Sequence, residues 1–172
     1  METAARRGNQ LVGNILRSLL PLVALVLLAV WLFWPRAGSP VHVIDPSDDI
    51  RGAGRVATYH VVSPQGLPPG WLPTSSYLDR PIAGVVTLEV GYYSPQGRYA
   101  RYVQSNVGTA DLLAAQISGA TPDGTVLVGG QTWQRYRTGR GEIALALPGR
   151  ATLLVTGSAG LDELTVLAGS LR

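Results

Sequence analysis

The residues of this chain that could do chemistry are few and widely spread, and their spacing decides what each can mean. Gly52, Gly54 and Ala57 spell G-x-G-x-x-A, the letters of a dinucleotide-binding turn, with Asp79 about 20 residues further on. That turn holds a pyrophosphate only where a strand runs straight into the glycines inside a βαβ unit. Here the one preceding strand candidate, Val41 to Ile44, ends well short of Gly52. The glycines therefore read as part of a weakened helix, and no cofactor is expected. His42, Asp45 and His60 lack the tight spacing of a metal site, so none is expected. Ser75, Ser76, His60 and Asp79 include the letters of a nucleophilic triad. There is no G-x-S-x-G around either serine, however, and S-x-x-K is impossible in a chain without lysine. No catalytic residue is assigned, and the chain reads as non-catalytic.

The remaining concentration of chemistry is cationic. Arg98 and Arg101 fall on one predicted hairpin, and Arg135, Arg137 and Arg140 fall near the turn of another. Alternation places Arg135 and Arg137 on the same side of their strand, and adjacent hairpins would bring all five to one face. The plainer reading is a solvated sheet surface balanced by Glu89 and Glu142. The sharper one is a surface that takes an envelope protein or an anionic envelope ligand, for which the guanidinium fork is suited.

An apolar run, LLPLVALVLLAVWLFW from Leu19 to Trp34, must position everything else. Residues 15–34 taken as one helix cover roughly 30 Å at about 1.5 Å per residue, the thickness of a bilayer's hydrocarbon core. A cleaved leader would need small residues after a shorter apolar core, but Trp31, Leu32, Phe33 and Trp34 follow instead. Arg6, Arg7 and Arg17 precede the run, and Asp45, Asp48 and Asp49 come after it. The expectation is a single-pass cell-membrane protein in contact with the bilayer through residues 15–34. Its tail, residues 1–14, would be cytoplasmic, residues 35–40 a linker, and residues 41–172 one extracytoplasmic domain.

Composition narrows that domain. Of fourteen cationic residues, all arginine, three lie before the apolar run, leaving eleven against the ten acids that follow it. A near-neutral domain offers no concentrated basic face, so nucleic acid is not an expected partner. The absence of cysteine excludes disulfides, thiol catalysis and thiolate metal sites.

Pro46 opens a helix predicted over Ser47 to Ala57, with Asp48 and Asp49 in its first turn. Ser63 to Trp71, SPQGLPPGW, is a shaped loop, with Leu67 and Trp71 set against the core. Strands are predicted over Leu72 to Leu78, Val85 to Tyr93 and Tyr99 to Ser105, with Ser94 to Gly97 as a hairpin turn. A short helix, Ala110 to Ile117, is capped by Thr109. Thr121 to Gly124 reads as turn, and three more strands follow: Gln131 to Thr138, Glu142 to Leu147 and Ala151 to Thr156. A closing helix spans Leu161 to Leu171, with Asp162 and Glu163 in its first turn. The order predicts an α+β fold: a transmembrane helix, then one domain with an antiparallel sheet covered by helices on one face.

With GLPPGW at Gly66 to Trp71, GVVTLEVGYYSPQGRYARYVQSN at Gly84 to Asn106 and the closing GEIALALPGRATLLVTGSAGLDELTVLAGSLR, the chain resembles the DUF4245 family nearly throughout. The resemblance implies an actinobacterial single-pass membrane protein and carries no catalytic residues with it. More distantly, the same order of elements is similar to outer domains of anti-sigma regulators. The functional expectation is a membrane-anchored binding or interaction domain of the cell envelope. The alternatives are a carrier of an apolar, lipid-like ligand and an envelope hydrolase.

Overall fold

A computed structural model describes residues 19, 21, 23–26, 41–80 and 84–172. The chain divides into two compact units, Met1–Val41 and His42–Arg172, and each is considered by itself. In the first, Leu19, Pro21 and the residues 23–26 are helical with exposed side chains. Among the described residues no helix is long and apolar enough to cross a membrane. The expected span 15–34 and linker 35–40 lie largely outside them.

The second unit is built on a seven-stranded, wholly antiparallel sheet. Its strands are β1 (Leu72–Asp79), β2 (Thr87–Tyr93), β3 (Tyr99–Ser105), β4 (Thr121–Val128), β5 (Gln131–Arg137), β6 (Ile143–Leu147) and β7 (Thr152–Gly157). They lie in the order β1-β2-β3-β7-β6-β5-β4. Three helices accompany them: α1 (Ser47–Val56), α2 (Thr109–Gln116) and α3 (Leu161–Ser170). The α+β class and the antiparallel sheet agree with expectation.

Period-two alternation sorts the side chains, and the outcome corrects the expected one-sided cover. Leu88, Val90, Tyr102, Trp133, Leu145 and Val155 point to one face, where Ala53 of α1 and Leu164, Leu167 and Ala168 of α3 complete the larger core. The next residues along the same strands, Val103, Ala144, Ala146 and Leu154, point the other way and pack against Leu112 and Leu113 of α2 and Ile117 just past its end. Helices thus cover both faces. The signal is the run of consecutive buried residues in the central strands, Ala144 to Ala146 and Leu154 to Thr156, because a strand buried on both faces loses its polar alternation.

Two further differences have local causes. Val41 to Ile44 forms no strand, although the Ile44 N–H donates to the Pro73 carbonyl at 3.0 Å. Thr121 to Gly124 is not a turn but the first half of β4, where the register slips between Pro122 and Thr125. β4 is an edge strand, so the missing N–H of Pro122 leaves no neighbour unpaired, and Gly124 at φ +95° supplies the bulge.

The loop after α1 is tied down by the end of the chain. Ser63 and Arg172 exchange backbone hydrogen bonds of 3.0 and 3.2 Å, and the Gln65 N–H donates to the Ser170 carbonyl at 2.8 Å. Leu67 and Trp71 pack on the larger core as expected, and Trp71 meets Tyr92 edge-on with ring centroids 6.4 Å apart. Gln104, buried within β3, behaves as a strand for its neighbour: its amide accepts from the Val62 N–H at 3.0 Å and donates to the His60 carbonyl at 2.8 Å.

Candidate functional site

Cross-strand partners share a face, so the register places each of the five arginines. Arg101 pairs with Gly91 on one side and Thr156 on the other, and Thr156 pairs with Ala144. That row lies on the α2 face. Arg135 pairs with Leu145, and Arg137 with Ile143, so these two share a face as alternation predicted, but it is the α1–α3 face. β7 and β6 also stand between β3 and β5, a separation of roughly 14 Å at about 4.8 Å per strand. The five side chains therefore do not form one surface. The premise of adjacent hairpins fails because the last strand of the chain inserts between them.

Most of these arginines already have partners. Arg98 lies 2.6 Å from Glu163 at the start of α3. Arg101 Nη1 lies 2.6 Å from Glu89, and its Nη2 donates to the Gln116 carbonyl at 3.2 Å. The β4 bulge turns Asp123 back between Arg135 Nε, at 3.3 Å, and Arg137 Nη2, at 3.0 Å. Arg140 sits in the β5–β6 turn with its side chain exposed.

The α2 face has a covered half and an open half. α2 packs over residues of β3, β7 and β6, and among the described residues no helix covers β1, β2 and the start of β3 on this face. There Leu72, Tyr93 and Tyr99 stand in one row, Ser75, Gly91 and Arg101 in the next, and Tyr77, Glu89 and Val103 in the third. Tyr77 is 62% exposed and Tyr93 36%. Gly91 is the floor of this surface, and a Cβ there would run into Tyr99 Oη and Ser75 Oγ, which are themselves 3.3 Å apart. Tyr93 and Tyr99 meet edge to face with centroids 6.4 Å apart. The tyrosines escape sequence reasoning because an aromatic residue on a strand signals core as readily as surface. Only the footprint of α2 separates the two.

Beside the open half, a cleft of about 470 Å³ lies between the end of α2 and the adjoining strand ends; Arg101, Arg140, Glu142 and Thr156 are among its lining residues.

The remaining residues singled out in the sequence are dispersed. Ser75 Oγ is within hydrogen-bonding distance of Tyr99 Oη, Asp79 pairs with Thr87 in the ladder, and His60 gives its carbonyl to Gln104. Gly52 and Gly54 lie inside α1, with Gly52 against Leu78 of β1. Among the described residues no group of three or more histidine, aspartate or glutamate side chains could hold a metal ion. The space between the sheet and α3 is filled by Leu88, Tyr102, Trp133, Leu145, Leu164 and Leu167, all almost wholly buried.

Two-sided helical cover of an antiparallel sheet, with one half of one face bare, defines an α+β domain with an open sheet surface. The chain belongs to the family described as protein of unknown function, DUF4245, whose pattern matches residues 7–171. No curated protein matches it. Among solved structures it is similar to MucB in complex with MucA(peri), at 16% identity and a TM-score of 0.40. The match covers 67% of this chain and 37% of that one, so the chain spans little more than a third of that protein's length.

Proposed function

We propose that this protein is a membrane-anchored interaction protein of the cell envelope. Residues 15–34 hold it in the bilayer with the amino terminus in the cytoplasm, and the unit His42–Arg172 stands outside. There it engages an envelope protein through the open half of the α2 face. The supports for the anchor are the length of the apolar run, the arginines before it and the exposed apolar side chains of Leu19, Val23, Leu25 and Val26. Protease added to intact spheroplasts should digest the outer unit, and full protection would overturn this topology.

The observation that carries the interaction reading is the row of Leu72, Tyr93 and Tyr99 beside Tyr77 and Arg101 on an uncovered sheet. Tyrosine and arginine are the residue types that concentrate binding energy at interfaces, because each combines a large contact area with a polar tip. A photo-crosslinking residue at Tyr77 should capture a partner in intact membranes. The same group at Val166, exposed on α3, should not. Tyr93→Ser should reduce the Tyr77 adduct severalfold. Equal capture at both positions would remove the sheet face from consideration.

A further inference from the structure

The cleft beside α2 is built from segments that hold one another in place. In the β5–β6 turn, Thr138 Oγ1 accepts from the backbone N–H of Arg140 at 3.3 Å and of Glu142 at 3.1 Å. The Gly141 N–H closes the turn on the Thr138 carbonyl at 2.9 Å, and Gly139 donates to the Ser118 carbonyl just past α2 at 2.8 Å. The side chains of Arg140 and Glu142, two residues apart, are therefore offered to the cleft from a pinned loop. Across it, Arg101 is fixed by Glu89 and by the Gln116 carbonyl. A guanidinium has five N–H donors, so three of Arg101's remain after those two contacts. The carbonyls of Gln116 and Ser118 at the end of α2 are already taken, one by Arg101 and one by Gly139.

The donors available from Arg101 and Arg140 exceed the roughly four lone-pair sites of a single carboxylate and suit a group with three terminal oxygens. The charges matter as much. Arg101 and Arg140 are matched by Glu89 and Glu142, so the site has no net charge and would not hold a bare anion strongly. Glu142, lining the same cleft, accepts hydrogen bonds. We infer that the cleft binds a phosphate ester that also carries a hydroxyl donor: phosphate oxygens on Arg140 and Arg101, hydroxyl on Glu142. Such a group is found in a polyol phosphate monoester and in the glycerol phosphate monoester headgroup of a lysophosphatidic acid. The inference shares Arg101 with the protein-docking reading but rests besides on Arg140 and Glu142, which that reading does not use, so loss of ligand binding in Arg140→Gln with the Tyr77 adduct intact distinguishes the two.

The test uses the full chain in a maltoside detergent, which contains no phosphate, at constant ionic strength. Glycerol 3-phosphate should raise the melting temperature in a saturable manner, through binding to the folded state, and inorganic phosphate should do so more weakly. Arg140→Gln should weaken glycerol 3-phosphate by about tenfold, the effect of losing one charge-assisted hydrogen bond. Glu142→Gln should weaken glycerol 3-phosphate relative to inorganic phosphate, which a merely structural role would not do. A short-chain lysophosphatidic acid separates the sources: tighter binding than glycerol 3-phosphate assigns a lipid headgroup, and equal binding assigns a soluble polyol phosphate. Unchanged response in Arg140→Gln, or an equal rise with matched chloride, would overturn the site.

Discussion

Arg98 Nη2 lies 2.6 Å from Glu163 Oε2, which fastens the β2–β3 turn to the first turn of α3. The same carboxylate oxygen accepts from the Gly160 N–H at 3.0 Å. The Glu163 side chain is nearly buried, whereas Arg98 is half exposed. Burial alone would raise the Glu163 carboxyl. Hydrogen bonding from Ser94 and Gly160 and the charge of Arg98 outweigh it and leave the group below its ordinary range. A depressed carboxyl contributes stability above its unfolded value of 4.5, and that contribution is lost as pH falls through the folded value. Arg98→Ala should destabilise by about 1–3 kcal/mol at neutral pH, because it strands a buried carboxylate. Urea titrations should show the gap between wild type and variant narrowing as pH falls below 4.5.

Gly91→Ala should be costly although the backbone there does not require glycine. The added methyl would meet Tyr99 Oη and Ser75 Oγ on the open face, and overpacking of this kind costs roughly 1–3 kcal/mol. Adding Tyr99→Ala to the variant should recover much of the loss. Additive losses in urea denaturation would mean that the two residues do not collide.

Alkaline unfolding should be led by buried phenols. Burial pushes Tyr59 and Tyr92 up to about 12 and Tyr102 higher still, with Tyr92 adding to the last. A raised phenol keeps its proton in the folded state, so stability should fall as pH rises above the unfolded value of 10.0. Ultraviolet titration should find part of the tyrosine absorbance change arriving only with loss of structure.

Arg135→Gln with Arg137→Gln should cost less than about 1 kcal/mol, since both pairs with Asp123 are partly exposed and salt-screened. These changes sit on the α1–α3 face, so glycerol 3-phosphate binding should be unaltered. A parallel loss of binding would show that the two faces communicate.

A fragment of residues 42–172 should fold alone and melt reversibly, with no response to reductant in a chain without cysteine. Aggregation of the fragment unless residues 1–41 are present would mean that its core is not self-sufficient.

What the sequence determined by itself is local. Val86, Leu88, Val90 and Tyr92 declare a buried face by strict alternation, and the structure buries all four. The SPQG turn, the closing helix and the packing of Leu67 and Trp71 follow in the same way from turn chemistry and apolar spacing. Tertiary structure decided the rest, because it depends on contacts between residues far apart in the chain. β7 sits between β3 and β6, so the two arginine-bearing hairpins never meet. Pro-Asp-Gly becomes a bulge and not a turn because β5 is there to pair with it. α2 shelters Val103 and leaves Tyr77 bare because its short length covers only part of the sheet. The candidate sites follow from that partial cover: Arg101 reaches an open tyrosine face and a cleft with Arg140 through strand order and helix placement, which no local pattern of residues encodes.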